Sequence, residues 1–310
     1  MKIFIIDPFH HEGVEYARQH AEVVLWNDPR VNNWPEEADG VMVRMTPIRA
    51  EDLARAKNVK VICKQGVGIE TIDVEAAKAH GITVCRTPGV NSEAVSELAL
   101  ALGLAVSRRV VEFDRMLRSG KSVQRSNYLG LEALGKTVGV VGMGNIGTRT
   151  AKKWQRAFDT TILAYDPYAP ADAWADIPHE RLTSLDELLP RVDILTLHLP
   201  LNDETRNLID SRALDLMKDT AILVNVSRGG IVDESALYHA LKAGHLFGAG
   251  LDVFEVEPPT ADNPLLSLPT VVATPHAGGG TRETQAKSSE LVARQVLDVL
   301  AGKEPIARVA

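Results

Sequence analysis

Short apolar runs alternate along the chain with segments whose apolar residues recur at helical spacing. In the first part of the chain, five such runs predict β-strands, and the segments between them predict amphipathic helices. The predicted strands are residues 2–6, 23–25, 40–43, 59–63 and 82–85. Gly81 directly follows the helical stretch 73–80 and predicts its end. This alternation predicts a parallel sheet with helices on both faces.

The pattern changes between residues 92 and 119, a stretch with no proline and a single glycine, Gly103. It predicts one long helix that begins at Asn91 or Ser92 and ends at Gly120. Six further strands are predicted after it, at 137–141, 161–165, 192–197, 221–224, 247–252 and 271–273. A last helical segment, 281–301, follows no strand of its own, so we expect it to cover the first domain.

Length and charge narrow the class of protein. A chain of 310 residues usually holds more than one hydrophobic core, which predicts two α/β domains. Lys and Arg number 34 and Asp and Glu number 41, so no basic surface for nucleic acid is expected. No apolar run is long enough to cross a membrane, and the first residues lack a signal-peptide layout, which together predict a cytoplasmic protein.

Cysteine and histidine usage gives no sign of a metal centre. The two cysteines, Cys63 and Cys85, each close a short β-branched run and are predicted to be buried thiols. His10 and His11 are adjacent, and the other histidines stand apart, so no metal-ligand spacing is apparent. We therefore predict that the protein binds no metal.

A glycine-rich turn follows the first strand of the second series. Gly142, Gly144 and Gly147 match the pattern G-x-G-x-x-G between a predicted strand and a predicted helix. The first glycine permits a tight turn, the second lets the backbone approach a pyrophosphate, and the third lets the helix pack closely on the strand. Free N–H groups at the helix start, around Asn145 and Ile146, would meet the anion. The turn predicts a dinucleotide-binding site.

Asp166 ends the next predicted strand, about 20 residues after the glycine turn. An acid at this position binds the ribose hydroxyls of the dinucleotide and repels a 2′-phosphate. The residues that follow it, Pro167-Tyr168-Ala169, include no arginine that could receive such a phosphate. The sequence therefore predicts NAD rather than NADP as the cofactor.

Six ordered segments resemble the NAD-dependent D-isomer-specific 2-hydroxyacid dehydrogenases, and the resemblance runs from about Arg44 to the end of the last helix. The segments are QGVGIETID (65–73), GMGNIG (142–147), HLPL (198–201) with Thr205, NVSRGG (225–230), DVFEVEP (252–258) and TPHAGG (274–279). The resemblance implies a Rossmann NAD-binding domain, residues 93–280, inserted in a flavodoxin-like substrate domain, residues 1–92 and 281–310. It also implies an active site in the cleft between the domains, and a homodimer.

The resemblance implies a catalytic role for three residues. Arg228 would grip the carboxylate and keto oxygen of a substrate through the paired donors of its guanidinium. His276 would give a proton to the forming alkoxide in reduction and take it in oxidation. Glu257 would pair with His276 and fix the tautomer of its ring. Taken singly, each residue has an ordinary alternative as a surface cation, a hydrogen-bonded loop histidine or a solvated acid, and their order along the chain favours catalysis.

Further positions are implied to line the site. Backbone N–H groups of Val67 and Gly68 would bind the substrate carboxylate. His198 and Thr205 would line the cofactor. Asp252 would face the nicotinamide or its ribose, although an acid at a strand end is equally well explained as a structural acceptor.

Arg44, with Lys64 nearby, hints at recognition of a second anionic group on the substrate. Relatives carry a small hydroxyl residue directly after this arginine, whereas Met45 stands here, so recognition of a phosphorylated substrate does not simply carry over. Since the sequence stops at Ala310, we expect no regulatory domain and no feedback control by a bound amino acid.

The expected activity is hydride transfer between NAD(H) and a small D-2-hydroxy acid or 2-keto acid. Two alternatives stay open at this point. Some transcriptional corepressors resemble the same family and keep the Arg, Glu and His positions, which allows an NAD-sensing interaction protein. Formate oxidation is the other, but enzymes of that group carry a glutamine where Glu257 stands. The identity of the 2-hydroxy acid and the physiological direction are left open.

Overall fold

The computed structural model describes all 310 residues, which divide into two compact units. The first unit is residues 1–91 together with 279–310, and the second is residues 92–278. Each unit has a parallel sheet of its own. The prediction of two α/β parallel-sheet domains is therefore confirmed.

The chain forms twelve strands and eleven α-helices. The strands are β1 Lys2–Ile5, β2 Glu22–Leu25, β3 Gly40–Val43, β4 Val61–Lys64, β5 Thr83–Arg86, β6 Thr137–Val141, β7 Thr161–Tyr165, β8 Glu180–Arg181, β9 Ile194–Leu197, β10 Ile222–Asn225, β11 Gly248–Leu251 and β12 Val271–Ala273. The helices are α1 His11–Arg18, α2 Trp34–Glu37, α3 Ala50–Arg55, α4 Val74–Ala79, α5 Ser92–Ser107, α6 Val110–Arg118, α7 Asn145–Phe158, α8 Leu185–Leu188, α9 Ser211–Asp215, α10 Glu234–Lys242 and α11 Arg282–Leu300. None of these helices combines the length and the apolar character needed to cross a bilayer.

The sheet of the first unit has the strand order β2-β1-β3-β4-β5, with every neighbouring pair parallel. All five strands lie within two residues of their predicted bounds. This order is flavodoxin-like, as the family resemblance implies. Successive strands are added on one side of β1 and then on the other, so the topological switch point lies between β1 and β3. The carboxyl ends of β1, β3, β4 and β5 therefore meet at one edge, where such sheets bind ligands.

The last helix, α11, belongs to the first unit and packs on α1, β3 and β4. Thr281 caps its start by accepting a hydrogen bond from Thr284 N at 3.1 Å. A Cβ on Gly13 would lie 2.0 Å from Ser289 Oγ, so only glycine allows α1 and α11 to approach this closely. The last helix thus packs on the first unit.

The sheet of the second unit has the order β12-β11-β10-β9-β6-β7-β8, again all parallel. This is the Rossmann order with one additional edge strand. The order in which strands are added changes side between β6 and β9, which is the topological switch point of this sheet. The prediction of six strands was wrong, because the sheet has seven. The missed strand, β8, has only two residues, both charged, and pairs with β7 alone. It has no apolar run by which the sequence could reveal it.

The predicted single helix over residues 92–119 is in fact two helices, α5 and α6. Arg109 lies between them in the left-handed region, with φ of 53°. The carbonyl of Ser107 accepts a hydrogen bond from Leu131 N at 2.8 Å, so the end of α5 is taken by a later segment. No glycine or proline marks this break, which is why the sequence pattern missed it. Gly120, with φ of 71°, follows the end of α6 as expected.

Candidate active site

The glycine-rich turn connects β6 to the first turn of α7 in the second unit. Gly142 has φ of 100°, and a Cβ there would lie 2.5 Å from the carbonyl oxygen of His198. A Cβ on Gly147 would lie 2.0 Å from Gly142 O, whereas one on Gly144 would meet no atom within 4 Å. No side chain caps the start of α7. The turn thus leaves open space beside helix N–H groups, and these residues fit a bound pyrophosphate.

Asp166 follows β7 and its carboxylate lies against the glycine turn. Oδ2 accepts a hydrogen bond from Met143 N at 2.8 Å, and Oδ1 accepts from Tyr168 N at 3.0 Å and Ala169 N at 3.1 Å. The acid therefore fixes the two loops that flank the predicted ribose position. Cofactor selectivity through Asp166 stays a prediction.

An arginine that the sequence analysis missed lies beside this loop. Arg181, on β8, donates at 2.7 Å to the carbonyl oxygens of Asp166 and Ala169 and at 2.8 Å to that of Pro170. Its guanidinium holds the backbone of the loop through these carbonyl oxygens, although Arg181 lies 15 residues after Asp166 in the sequence. No sequence pattern marks Arg181, because β8 consists of only two residues and both are charged.

His198 and Thr205 lie in the loop after β9, and the structure gives each a local role. Desolvation lowers the pKa of His198 to about 3, so its ring is neutral at physiological pH. Its Nε2 contacts Thr196 Oγ1 at 3.0 Å, and its buried Nδ1 has no hydrogen-bond partner. Thr205 Oγ1 donates to Pro200 O at 2.7 Å and closes the loop. Contact of either side chain with a cofactor stays a prediction.

Arg228 stands in the loop that follows β10, and a buried asparagine shapes this loop. Asn225 Oδ1 accepts from Ser227 N at 3.1 Å and Ser227 Oγ at 2.7 Å, while Asn225 Nδ2 donates to Arg228 O at 3.0 Å. Arg228 is half-buried, and its Nη1 donates to Ser227 O at 2.7 Å. Asn225 and the Arg228 guanidinium thus both hold the backbone of this loop.

His276 and Glu257 form the expected pair in the same unit. His276 Nδ1 lies 2.7 Å from Glu257 Oε2, and Glu257 Oε1 accepts from Phe254 N at 3.1 Å. Both side chains are partly exposed to solvent, 47% for His276 and 34% for Glu257. With Nδ1 against the carboxylate, Nε2 is the ring nitrogen that can exchange a proton with a ligand. The contact is present, and the acid/base role stays a prediction.

Asp252 is buried at the end of β11 and organises the loop that carries His276. Oδ1 accepts from Ala277 N at 2.7 Å and Thr274 Oγ1 at 2.6 Å, Oδ2 accepts from Gly278 N at 2.9 Å, and the backbone carbonyl accepts from His276 N at 2.7 Å. His276 has φ of 54°, a left-handed conformation that costs a non-glycine residue about 1 kcal/mol. These contacts match the structural-acceptor alternative for Asp252, and contact with the nicotinamide stays a prediction.

Arg44, Val67 and Gly68 belong to the first unit, at the carboxyl edge of its sheet. The Asp7 carboxylate accepts hydrogen bonds from Arg44 N at 2.6 Å and Met45 N at 2.9 Å, and its pKa is lowered because these and the Thr46 bonds together outweigh desolvation, the largest single cause. Lys64 Nζ donates to Arg44 O, so the nearby cation predicted from the sequence holds the Arg44 backbone. Substrate contacts of these residues stay predictions.

A polar pocket of about 80 Å³ lies beside this edge within the first unit. Arg44 lines it together with side chains that the sequence analysis did not single out, among them Gln65, Thr87, Gln285 and Ser288. Gln65 Nε2 donates to Gln285 Oε1 at 2.9 Å, and Thr87 Oγ1 lies 2.9 Å from Ser288 Oγ. Because the lining comes from three strand ends and α11, spacing in the sequence could not have revealed it.

Two histidines and a glutamate lie close together at the start of α1. Potential ligand atoms of His10, His11 and Glu12 lie within 4.8 Å of one another at the start of α1. Adjacent histidines do not have metal-ligand spacing along the chain, but the start of the helix brings Glu12 close to them. His11 and Glu12 are exposed. The absence of a functional metal stays a prediction.

Comparison with known proteins places this arrangement in a family. Residues 100–278 match the model of the D-isomer specific 2-hydroxyacid dehydrogenase, NAD binding domain. The chain is 44% identical to the hydroxypyruvate reductase of Thermotoga maritima, over 89% of this chain and 88% of that protein. It therefore belongs to the D-isomer-specific 2-hydroxyacid dehydrogenase family, and NAD(H) is the cofactor of its second unit.

Two further relatives extend the comparison. The chain is 38% identical to the D-3-phosphoglycerate dehydrogenase of Archaeoglobus fulgidus, over 97% of this chain but only 58% of that protein. The chain thus spans a little more than half the length of this relative. The crystal structure of D-lactate dehydrogenase from Aquifex aeolicus, complexed with NAD and lactic acid, has a TM-score of 0.82 and 28% identity and covers 97% of this chain and 96% of that one.

Proposed function

We propose that the protein catalyses hydride transfer between NAD(H) and a small D-2-hydroxy acid or 2-keto acid. The observation that carries the proposal is the 2.7 Å contact between His276 Nδ1 and Glu257 Oε2 at the carboxyl edge of an NAD-binding sheet. The loop of Arg228 packs against the same segment, because a Cβ on Gly229 would lie 1.8 Å from Phe254 O. The His276–Glu257 pair and the loop of Arg228 thus share one edge of the sheet, which supports their acting together on a keto acid.

The cofactor would be held by the glycine turn, the first N–H groups of α7 and Asp166. When bound as NADH it supplies the hydride. Arg228 would pair with the substrate carboxylate and polarise the keto oxygen, which favours the developing negative charge on that oxygen. His276 Nε2 would then donate its proton to the alkoxide, and in the reverse reaction would remove the hydroxyl proton.

Glu257 would serve the proton transfer through His276. Its carboxylate would accept a hydrogen bond from Nδ1 of the His276 ring. The negative charge of Glu257 would then compensate the positive charge of the protonated ring before the ring donates its proton. Its second oxygen is held by Phe254 N, which prevents the carboxylate from turning away. The N–H groups of Val67 and Gly68 would assist in binding the substrate carboxylate.

The substrate is proposed to be a short 2-keto acid. The relatives named above act, by their names, on hydroxypyruvate, phosphoglycerate and lactate. A panel of glyoxylate, pyruvate, hydroxypyruvate and phosphohydroxypyruvate with NADH therefore tests the proposal, with loss of NADH absorbance as the measurement. We expect at least one substrate to be turned over, and we expect His276→Ala to abolish that turnover. His239→Ala, which changes an exposed histidine of α10, is the matched control.

The panel also tests the NAD-sensing alternative, for which none of the comparisons gives support. If no 2-keto acid is consumed while NADH still binds, as measured by its fluorescence, the enzyme proposal is wrong and the sensor is favoured. Residence in the cytoplasm is part of the proposal and is tested by cell fractionation.

A homodimer is the proposed assembly. Large apolar side chains are exposed on α6 and the segment after it, namely Val110, Leu117, Leu129 and Leu134. Such a concentration on one part of the second unit is typical of a surface that another chain covers. We expect sedimentation to give the mass of two chains and Leu117→Glu with Leu129→Glu to give one. A monomeric wild-type protein at micromolar concentration would contradict the dimer.

A further inference from the structure

The loop that carries Glu257 has little apolar anchoring. Phe254 is 3% exposed, whereas residues 255–258 are exposed, including Val256 at 66%. The next buried side chain along the chain is Leu265. Burial of apolar surface therefore anchors the chain at Phe254 but not the exposed residues that follow it, which depend on polar contacts.

One carboxylate supplies these polar contacts. Glu234, in the first turn of α10, accepts a hydrogen bond from Glu255 N through Oε1 at 2.5 Å. Its Oε2 accepts from Asn263 Nδ2 at 2.9 Å, and Asn263 Oδ1 in turn accepts from Leu265 N at 3.0 Å. Glu234 thus binds both arms of the loop to a helix whose start is fixed by its own N-cap, Asp233.

The contact at Glu255 continues to the acid/base pair. Phe254 N, in the adjacent peptide unit, donates to Glu257 Oε1 at 3.1 Å, and Glu257 Oε2 lies 2.7 Å from His276 Nδ1. On the other side the backbone of Gly229 packs against Phe254 O, so the segment cannot shift in that direction. A displacement of Glu255 would therefore move the donor that orients Glu257.

We propose that Glu234 is a positioning residue that holds Glu257 against His276 through the backbone of residues 254–255. The inference rests on the proposed function of that pair and assigns Glu234 no contact with substrate or cofactor. A hydrogen bond to a charged acceptor is stronger than one to a neutral acceptor, which suits an exposed loop that must keep one conformation.

Amide hydrogen exchange tests the positioning directly and needs no turnover. In Glu234→Ala we expect the amides of Glu255 and Phe254 to exchange roughly 10- to 100-fold faster than in the wild type. Glu234→Gln keeps only one acceptor oxygen and should give a smaller increase in the exchange rate. It replaces the alanine variant in this test if that variant folds poorly. Glu51→Ala, which removes an exposed acid from the first turn of α3, is the control and should leave both amides unchanged. Unchanged exchange in Glu234→Ala would overturn the proposal.

Kinetics test whether Glu234 acts through Glu257. We expect Glu234→Ala to lower kcat roughly 10- to 100-fold and to leave the dissociation constant of NADH within about twofold of the wild-type value. Its pH profile of kcat should shift in the same direction as that of Glu257→Gln. In the Glu257→Gln background, Glu234→Ala should cause almost no further loss, because the interaction it supports is already gone.

A full multiplicative loss in the double variant would contradict action through Glu257. The two measurements also separate the two proposals. A wild-type protein inactive on every 2-keto acid would refute the proposed function, and amide exchange would still decide whether Glu234 holds the loop.

Discussion

At the scale of single residues, the side chains proposed to carry the chemistry are held by contacts with residues distant in sequence, as Asp252 holds the loop of His276. The glycine turn, Asp166, Arg228, Glu257 and His276 stand in recognisable order in the sequence. The left-handed conformation of His276 depends on acceptors that come from Asp252, at the end of a neighbouring strand. Such contacts join residues that are distant in sequence, so local spacing carries no signal of them.

Asp166 supports a prediction on cofactor choice. Asp166→Ser removes the charge that repels a 2′-phosphate and weakens the contact with Met143 N. We expect the ratio of kcat/KM for NADPH to that for NADH to rise at least about tenfold, since one unit of charge is removed at hydrogen-bond range. Asp172→Ser, an exposed acid nearby, is the control. An unchanged ratio would show that Asp166 does not discriminate between the cofactors.

At the scale of elements, the apolar pattern predicted both sheets and most helices, because buried parallel strands are read as short apolar runs. The apolar pattern did not predict elements whose position depends on tertiary contacts. The strand β8 is formed by two charged residues that pair with β7, and at the break between α5 and α6 the carbonyl of Ser107 accepts a hydrogen bond from Leu131 N. Neither feature has a periodic or turn-forming sequence that would mark it.

The break between α5 and α6 gives a stability prediction. Arg109 Nη1 donates to Glu112 Oε2 at 2.7 Å, and the side chains are only 21% and 7% exposed. Arg109→Ala leaves the Glu112 carboxylate buried without its partner, so we expect a loss of about 3 kcal/mol in the free energy of unfolding, measured with urea. Arg118→Ala breaks the exposed pair with Asp114, which solvent screens, and should cause a much smaller loss. Equal losses in the two variants would contradict this account.

His245 gives a prediction of pH dependence. Its Nε2 lies 2.8 Å from Leu214 O and its Nδ1 2.5 Å from Asp219 Oδ1, and these acceptors, the carbonyl first, raise the pKa of His245. Folding therefore favours the protonated ring. The stabilisation is complete below the pKa of an unfolded histidine, about 6.5, and is lost as the pH rises through the higher folded value.

We accordingly expect His245→Gln to lower the melting temperature more at pH 5.5 than at pH 8.5. His80→Gln, an exposed histidine after α4, should show no such difference. A decrease in melting temperature that is the same at both pH values would mean that protonation of His245 does not contribute to stability.

At the scale of the whole molecule, the chain combines two parallel-sheet units whose strand orders are flavodoxin-like and Rossmann-like. The expected roles divide between them, with cofactor and acid/base residues in the second unit and the anion-binding candidates Arg44, Val67 and Gly68 in the first. Three features of the sequence indicate the division into units: two series of predicted strands, the helical segment 92–119 between them, and a last helical segment that follows no strand of its own. The specificity for one acid depends on pocket shape, which the sequence does not display.

Arg44 gives the prediction that concerns the substrate. If its guanidinium recognises a second anionic group, Arg44→Ala should raise KM for a phosphorylated or dicarboxylic 2-keto acid at least about tenfold more than KM for pyruvate or glyoxylate. Arg49→Ala, which changes another arginine of the first unit, is the control. An equal increase for both kinds of substrate would exclude recognition of a second anion by Arg44.

We propose that this protein transfers a hydride to the carbon of a keto group while His276 protonates the oxygen. The most direct test uses NADH carrying deuterium at the transferring position, with the best 2-keto acid of the panel, and locates the label in the product by mass spectrometry and chiral separation. We expect one deuterium at C2 of the D-2-hydroxy acid in the wild type and no labelled product in His276→Ala. Label absent from C2, or found in the L-isomer, would contradict it.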